Sequence, residues 1–161
     1  MDLKDTREQT KGLKTLGARK TVYYDNPSVD ILETFPNAAP GRDYVAEFNT
    51  KEFTSLCPIT GQPDYATVSL RYIPDEKCVE SKSLKLYLGS FRSTGQFMES
   101  ITNRMVADFV ELLDPRGLVL EMDFAARGGI GTVVTVKHLS EKLTDEHKAR
   151  VAMELGIATL I

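Results

Sequence analysis

Glu80-Ser-Lys-Ser-Leu-Lys-Leu-Tyr-Leu-Gly-Ser-Phe-Arg92 is the stretch on which the fold turns. Leu84, Tyr87, Leu88 and Phe91 fall at i, i+3, i+4 and i+7, the apolar stripe of a helix over Ser81 to Arg92. A strand over the same residues would send Lys82 and Lys85 to opposite faces, because an odd spacing changes face. The helix puts Lys82, Lys85 and Arg92 on one side. A second helix is expected after it. Ser93-Thr-Gly-Gln96 reads as a candidate capping box, and Phe97, Ile101, Met105 and Phe109 recur at four-residue steps until Asp114-Pro115-Arg116-Gly117 stops them.

Strand patterns flank this helical middle. Upstream, Tyr65 to Tyr72 sets Ala66, Val68, Leu70 and Tyr72 against Thr67, Ser69 and Arg71, the period of a half-buried strand closed by Pro74-Asp75. Tyr44 to Phe48 is a shorter strand candidate. Downstream, Leu118 to Phe124 and Thr132 to His138 read as strands joined by Arg127-Gly-Gly-Ile-Gly131, and Thr144 onward reads as a terminal helix. Residues 1 to about 25 are polar and rich in Lys and Arg, and turn signals follow at Asn26-Pro27, Pro36-Asn37 and Pro40-Gly41. Arm and loops are therefore expected before Asp43, where regular structure should begin. The order strand-strand-helix-helix-strand-strand implies an α+β unit, with two hairpins backed on one sheet face by two antiparallel helices. The other face and the sheet edges are best managed by oligomerisation. A chain of 161 residues suits a single domain, 1–161.

Composition narrows the class of partner. A net charge of −3 and a pI near 5.5 give no basic field for nucleic acid or an anionic membrane surface, so a small substrate or a protein partner is expected. The two cysteines make no disulfide framework, the N-terminal residues lack a signal-peptide core, and no apolar run approaches the ~20 residues of a membrane span. The expected setting is the cytoplasm. Neither C-x-x-C nor H-x-x-x-H spacing occurs, so no metal is expected. Without G-x-G-x-x-G or a Walker A pattern, the residues alone demand no nucleotide.

Four features can carry chemistry, each with an ordinary alternative. Cys57 precedes Pro58, which holds it in an extended or turn conformation. Such a cysteine is commonly a small buried hydrophobe, and at an unperturbed pKa near 8.5 only about 3% is thiolate at neutral pH. No activating group is visible nearby, and a hydrolase pair with the distant His138 or His147 is the weaker reading. Asp64, after Pro63, is by default a turn residue. Set against a thiol in an apolar pocket it would keep its proton, and it could then act as general acid while the thiol adds to an unsaturated carbon. The Lys82, Lys85, Arg92 stripe is by default a solvated face, but it suits phosphate, and Arg127-Gly-Gly could add backbone amides. Glu99 ordinarily complements a helix dipole. If buried, it could accept two N–H bonds from a guanine-like edge.

Taken together these residues resemble the NADPH-dependent 7-cyano-7-deazaguanine reductases, the nitrile reductases of queuosine biosynthesis, in their short single-domain form. The family hallmark Glu-Ser-Lys-Ser-x-Lys-Leu-Tyr is matched from Glu80 to Tyr87, and the resemblance runs from about Val22 to His138 through Cys57-Pro58, Asp64 and Gly89-Ser-Phe-Arg92. It implies a tunnelling fold assembled as a ring barrel, pentamer or decamer, with active sites between subunits. It also implies that Cys57 forms a thioimide with the nitrile and that Asp64 protonates the nitrogen. Val79, Glu80, Ser81 and Glu99 match substrate-contacting positions; Lys82, Lys85 and Arg127 match those that engage NADPH. One departure stands out. Where the family has His before the substrate-binding Glu, this chain has Met98, which donates no strong hydrogen bond and moves no proton. The rival readings are the archaeosine-type amidinotransferase branch, whose expected mark is loss of the lysine motif, and a non-catalytic purine-binding ring, for which Met98 is the hint.

Overall fold

The computed structural model describes residues 11–14 and 21–157. Its main sheet has four antiparallel strands in the order β2-β3-β5-β6, formed by β2 (Ala46–Leu56), β3 (Pro63–Ile73), β5 (Gly117–Arg127) and β6 (Ile130–Leu139). A smaller pair, β1 (Thr34–Pro36) and β4 (Lys77–Val79), is also antiparallel. Helices α1 (Ser81–Gly89) and α2 (Met98–Leu113) lie between the two hairpins in sequence and cover one sheet face. The expected α+β order is therefore present.

Period-2 alternation explains which face is covered. Ala66, Val68, Leu70 and Tyr72 of β3 and Leu118, Leu120, Met122 and Phe124 of β5 are buried against Leu84, Tyr87 and Phe91, and against Ile101, Met105 and Phe109 of α2. A chain burying these large side chains gains roughly 1.5–3 kcal/mol for each, an upper bound because unfolded chains are partly collapsed. On the second face, α3 (Asp145–Leu155), capped by Thr144, packs Val151 and Leu155 onto Ile73 and Val119. Its close approach depends on Gly117, where an added Cβ would stand 2.6 Å from Val151 Cγ1 and 2.8 Å from Leu155 Cδ1. His147 of α3 stands 2.9 Å from Asp43 Oδ2, and Arg116 ties Asp43 (2.7 Å) to Asp75 (3.0 Å).

Several expectations are corrected. Regular structure begins before Asp43, with a 3-10 turn at Val29–Ile31 and then β1. The strand proposed at Tyr44 to Phe48 starts at Ala46 and runs to Leu56; a register shift between Thr50 and Phe53 puts an extra residue in β2, so the alternation changes phase and hides the strand's second half. Helix α1 ends at Gly89, and Ser90–Ser93 continues as a 3-10 turn. The expected capping box does not form, because α2 starts at Met98 with Phe97 as N-cap and no side-chain capping bond. The link proposed at Arg127 to Gly131 shrinks to Gly128-Gly129, whose φ angles of 59° and 84° suit a two-residue hairpin turn. Most of the arm expected at 1–25 lies outside the described residues. Among the described residues no helix is long and apolar enough to cross a membrane.

Candidate active site

Cys57 follows the last residue of β2 and opens the loop to β3. Its N–H donates to Gln62 O at 2.8 Å, and its carbonyl accepts from Gly61 N at 3.0 Å, so the loop folds back over the sulfur. The Thr60 hydroxyl and amide, then the Arg127 guanidinium and the Ile59 amide, favour the charged sulfur and pull the Cys57 thiol down to about 6. At neutral pH roughly nine-tenths is then thiolate. Activation therefore comes from two places sequence reading missed: Thr60 within the loop, and Arg127 from another strand.

Asp64 reaches the same place through the sheet. It continues the inner face of β3 two residues before Ala66, and its side chain is 2% exposed. Its cross-strand neighbour is Ser55. A register shift between Phe124 and Arg127 inserts an extra residue in β5, which changes the side-chain phase and aims Arg127 at the inner-face rim. Arg127 Nε stands 2.9 Å from Asp64 Oδ1. The contact is an ion pair without hydrogen-bond alignment, so Oδ1 remains without an aligned donor. The expected carboxylate–thiol pair thus includes a cation common to both partners.

These groups line a pocket of about 260 Å³ with Gln96, Phe97, Met98, Glu99, Ile130 and Thr132. Its far wall is placed by backbone pairing. Leu56 N donates to Thr94 O (3.0 Å) and Gln96 N donates to Leu56 O (3.2 Å), fixing the segment before α2 against the Cys57 loop. Met98 is half-buried and Glu99 is exposed in the first turn of α2. Ile59, Phe97 and Ile130 are 78%, 59% and 75% exposed, an unusually apolar surround for a polar pocket. Neither His138 nor His147 lines it.

The remaining expected site residues lie elsewhere in the chain. Val79 is buried, and its N–H donates to Tyr72 Oη at 3.0 Å. Glu80 is the buried N-cap of α1, accepting from Lys82 N (2.8 Å) and Ser83 N (2.7 Å). Ser81, Lys85 and Arg92 line a second pocket of about 370 Å³ between α1 and β2, floored by Leu84, Leu88 and Phe48. Lys85 is exposed there, and Arg92 pairs with Asp25 at 2.5 Å. Cations beside an apolar wall make a donor set that fits a phosphate-bearing cofactor with a flat ring. Lys82 shares the helix side of Lys85 without lining the pocket. Within one chain, then, Arg127 joins Cys57 and Asp64 rather than the two lysines.

Fold and pocket together define an α+β protein whose hairpin loop presents an activated cysteine beside a buried carboxylate. A family model described as QueF-like protein matches residues 63–143. An NADPH-dependent 7-cyano-7-deazaguanine reductase of Anaeromyxobacter sp. (strain K) is 57% identical over 112 residues, covering 70% of this chain and 91% of that protein. Those of Streptococcus mutans (54% over 125 residues) and Bacillus subtilis (52% over 127) each cover 78% of this chain and 77% of their own. The chain belongs to this QueF-like family. A crystal structure of the archaeosine synthase QueF-Like in the apo form has a similar fold, with a TM-score of 0.55 at 19% identity over 62% of this chain and 96% of that one.

Proposed function

We propose that this chain is an NADPH-dependent oxidoreductase that reduces the nitrile of 7-cyano-7-deazaguanine to 7-aminomethyl-7-deazaguanine in queuosine tRNA modification. The observation that carries the reading is the meeting of an activated Cys57 thiol, the buried Asp64 carboxyl group and Arg127 in one pocket of a chain from this family. A nitrile has no leaving group, so covalent capture is the step that turns it into an imine-like centre open to reduction. The Cys57 sulfur adds to the nitrile carbon, a C–S bond forms as one C–N π bond breaks, and Asp64 relays to the nitrogen the proton that the thiol gives up, so that S–H adds across the nitrile. Arg127 and Thr60 stabilise the sulfur as nucleophile and again when it leaves. Glu99, at the pocket wall, accepts N–H bonds from the heterocycle.

Lys82, Lys85 and Arg127 would hold NADPH, the two lysines through its phosphates. When bound, NADPH supplies hydride, one equivalent from each of two molecules. Copies of this tunnelling-fold domain would assemble as a ring, pentamer or stacked decamer, so that Val79, Glu80, Ser81 and the α1 lysines of one copy complete the Cys57 pocket of another. Three features support assembly: the separation of the two residue groups, the exposed Ile59, Phe97 and Ile130 around the pocket, and the long edge strands β2 and β6.

The test is NADPH oxidation on adding the nitrile to purified protein, with Cys57→Ala as control. Consumption of two NADPH per nitrile, absent in the control, is expected. Tight nitrile binding by well-folded wild type with no consumption would overturn the reductase reading.

A further inference from the structure

Gln96 is a polar group of the Cys57 pocket to which nothing above assigns work. The sequence pattern casts it as the reciprocal partner in a capping box with Ser93, but α2 begins beyond it and the box does not form. Its backbone is held in place: Gln96 N donates to Leu56 O at 3.2 Å, and Gly95 bridges Leu56 in parallel fashion. The side chain enters the pocket beside Cys57, Asp64, Met98 and Glu99. Its Oε1 is buried and has no hydrogen-bond partner among the described residues.

Burying an acceptor without a donor costs folding free energy, so such atoms are few in native chains and each marks an unmet need. Among the described residues three side-chain atoms are in this condition: Ser55 Oγ, Asp64 Oδ1 and Gln96 Oε1. Two of them line this pocket, and the third belongs to the cross-strand neighbour of Asp64. Asp64 has a charge partner in Arg127; among the described residues Gln96 Oε1 has neither a charge partner nor a donor. Met98, next but one along the wall, supplies no strong donor or acceptor. The pocket therefore has an acceptor waiting for an N–H that a ligand must bring.

We propose that Gln96 Oε1 accepts a hydrogen bond from a ring N–H of the nitrile substrate and is a specificity-determining residue of this site. The inference rests on reading the pocket as the nitrile site. A deazaguanine-type heterocycle carries lactam, exocyclic amine and pyrrole N–H donors. A site built around a buried acceptor discriminates against analogues lacking the matching donor, because the acceptor is then left unpaired.

The experiment compares Cys57→Ala with Cys57→Ala/Gln96→Met, a near-isosteric change that removes the acceptor. Calorimetric binding of 7-cyano-7-deazaguanine and thermal melting without ligand are measured on both. Gln96→Met is expected to weaken binding by more than twofold and up to about tenfold, the scale of one lost hydrogen bond. The ligand-free melting temperature should stay level or rise, since the unpaired oxygen is gone. Equal affinity within twofold would overturn the proposal, and so would weaker binding with a lowered melting temperature, which marks a structural role. If the Gln96-bearing protein itself binds no nitrile, and wild type consumes no NADPH, the reading of the pocket falls and the proposal with it. That result is distinct from wild-type activity with an indifferent Gln96.

Discussion

Helix α1 and the Cys57 loop carry the two halves of the family's signature, and they treat their polar groups in opposite ways. In α1 the buried ones are paired. Glu80 caps two amides, and Ser83 Oγ accepts from Glu33 N (2.9 Å) while donating to Glu80 O (2.8 Å). Tyr87 Oη donates to Asp108 Oδ2 at 2.6 Å. Around Cys57, by contrast, the thiol is held toward its anion, and buried oxygens of Asp64 and Gln96 lack aligned donors among the described residues. The difference separates two roles within one motif set. Groups whose bonds are closed within the chain hold α1 in shape, Glu80 included as the proposed ring presents it to a neighbouring copy, whereas groups whose bonds are open await a ligand.

The largest expected effect is on the open side. Cys57→Ala should lower nitrile-dependent NADPH oxidation at least about a thousandfold, the scale of losing a nucleophile, with melting temperature little changed because the loop is partly exposed. On the closed side, Glu80→Ala should cost about 2 kcal/mol in urea unfolding, through loss of a buried cap on two amides. A large activity loss without any stability loss would erase the distinction. Next come Arg127→Leu and Thr60→Val, which remove donors that favour the charged sulfur. The Cys57 pKa should rise from about 6, and iodoacetamide alkylation at pH 7 should slow by up to roughly tenfold. A midpoint still near 6 in both variants would contradict the stated cause. The smallest effect is expected of Met98→His, a few-fold lower KM or higher turnover for the nitrile, read by steady-state kinetics; no change in either would show that the missing His matters little in this chain.

The contrast also explains what could be read from sequence. The α1 stripe, the β3 alternation and the α2 repeat were legible because each obeys a local period and buries what that period marks. Cys57 and Asp64 were legible as candidates from the residues around them. Their activation was not, because Arg127 reaches Asp64 across the sheet through a bulge that has no periodic trace in sequence. The bulge in β2 hid half a strand for the same reason. Gln96 was misread because a capping-box spacing fits more sequences than it caps helices. The packing of α3 on the second sheet face depends on Gly117, which sequence alone presents as part of a helix stop.

The most direct test of the central claim omits NADPH. Protein is mixed with 7-cyano-7-deazaguanine and its intact mass is read, followed by peptide mapping. Addition of S–H across the nitrile retains every atom, so the account predicts a gain equal to the whole substrate mass, located on Cys57, forming with a pH midpoint near 6 and absent from Cys57→Ala. No adduct in a preparation that still consumes NADPH with the nitrile, or an adduct that persists in Cys57→Ala, would contradict it.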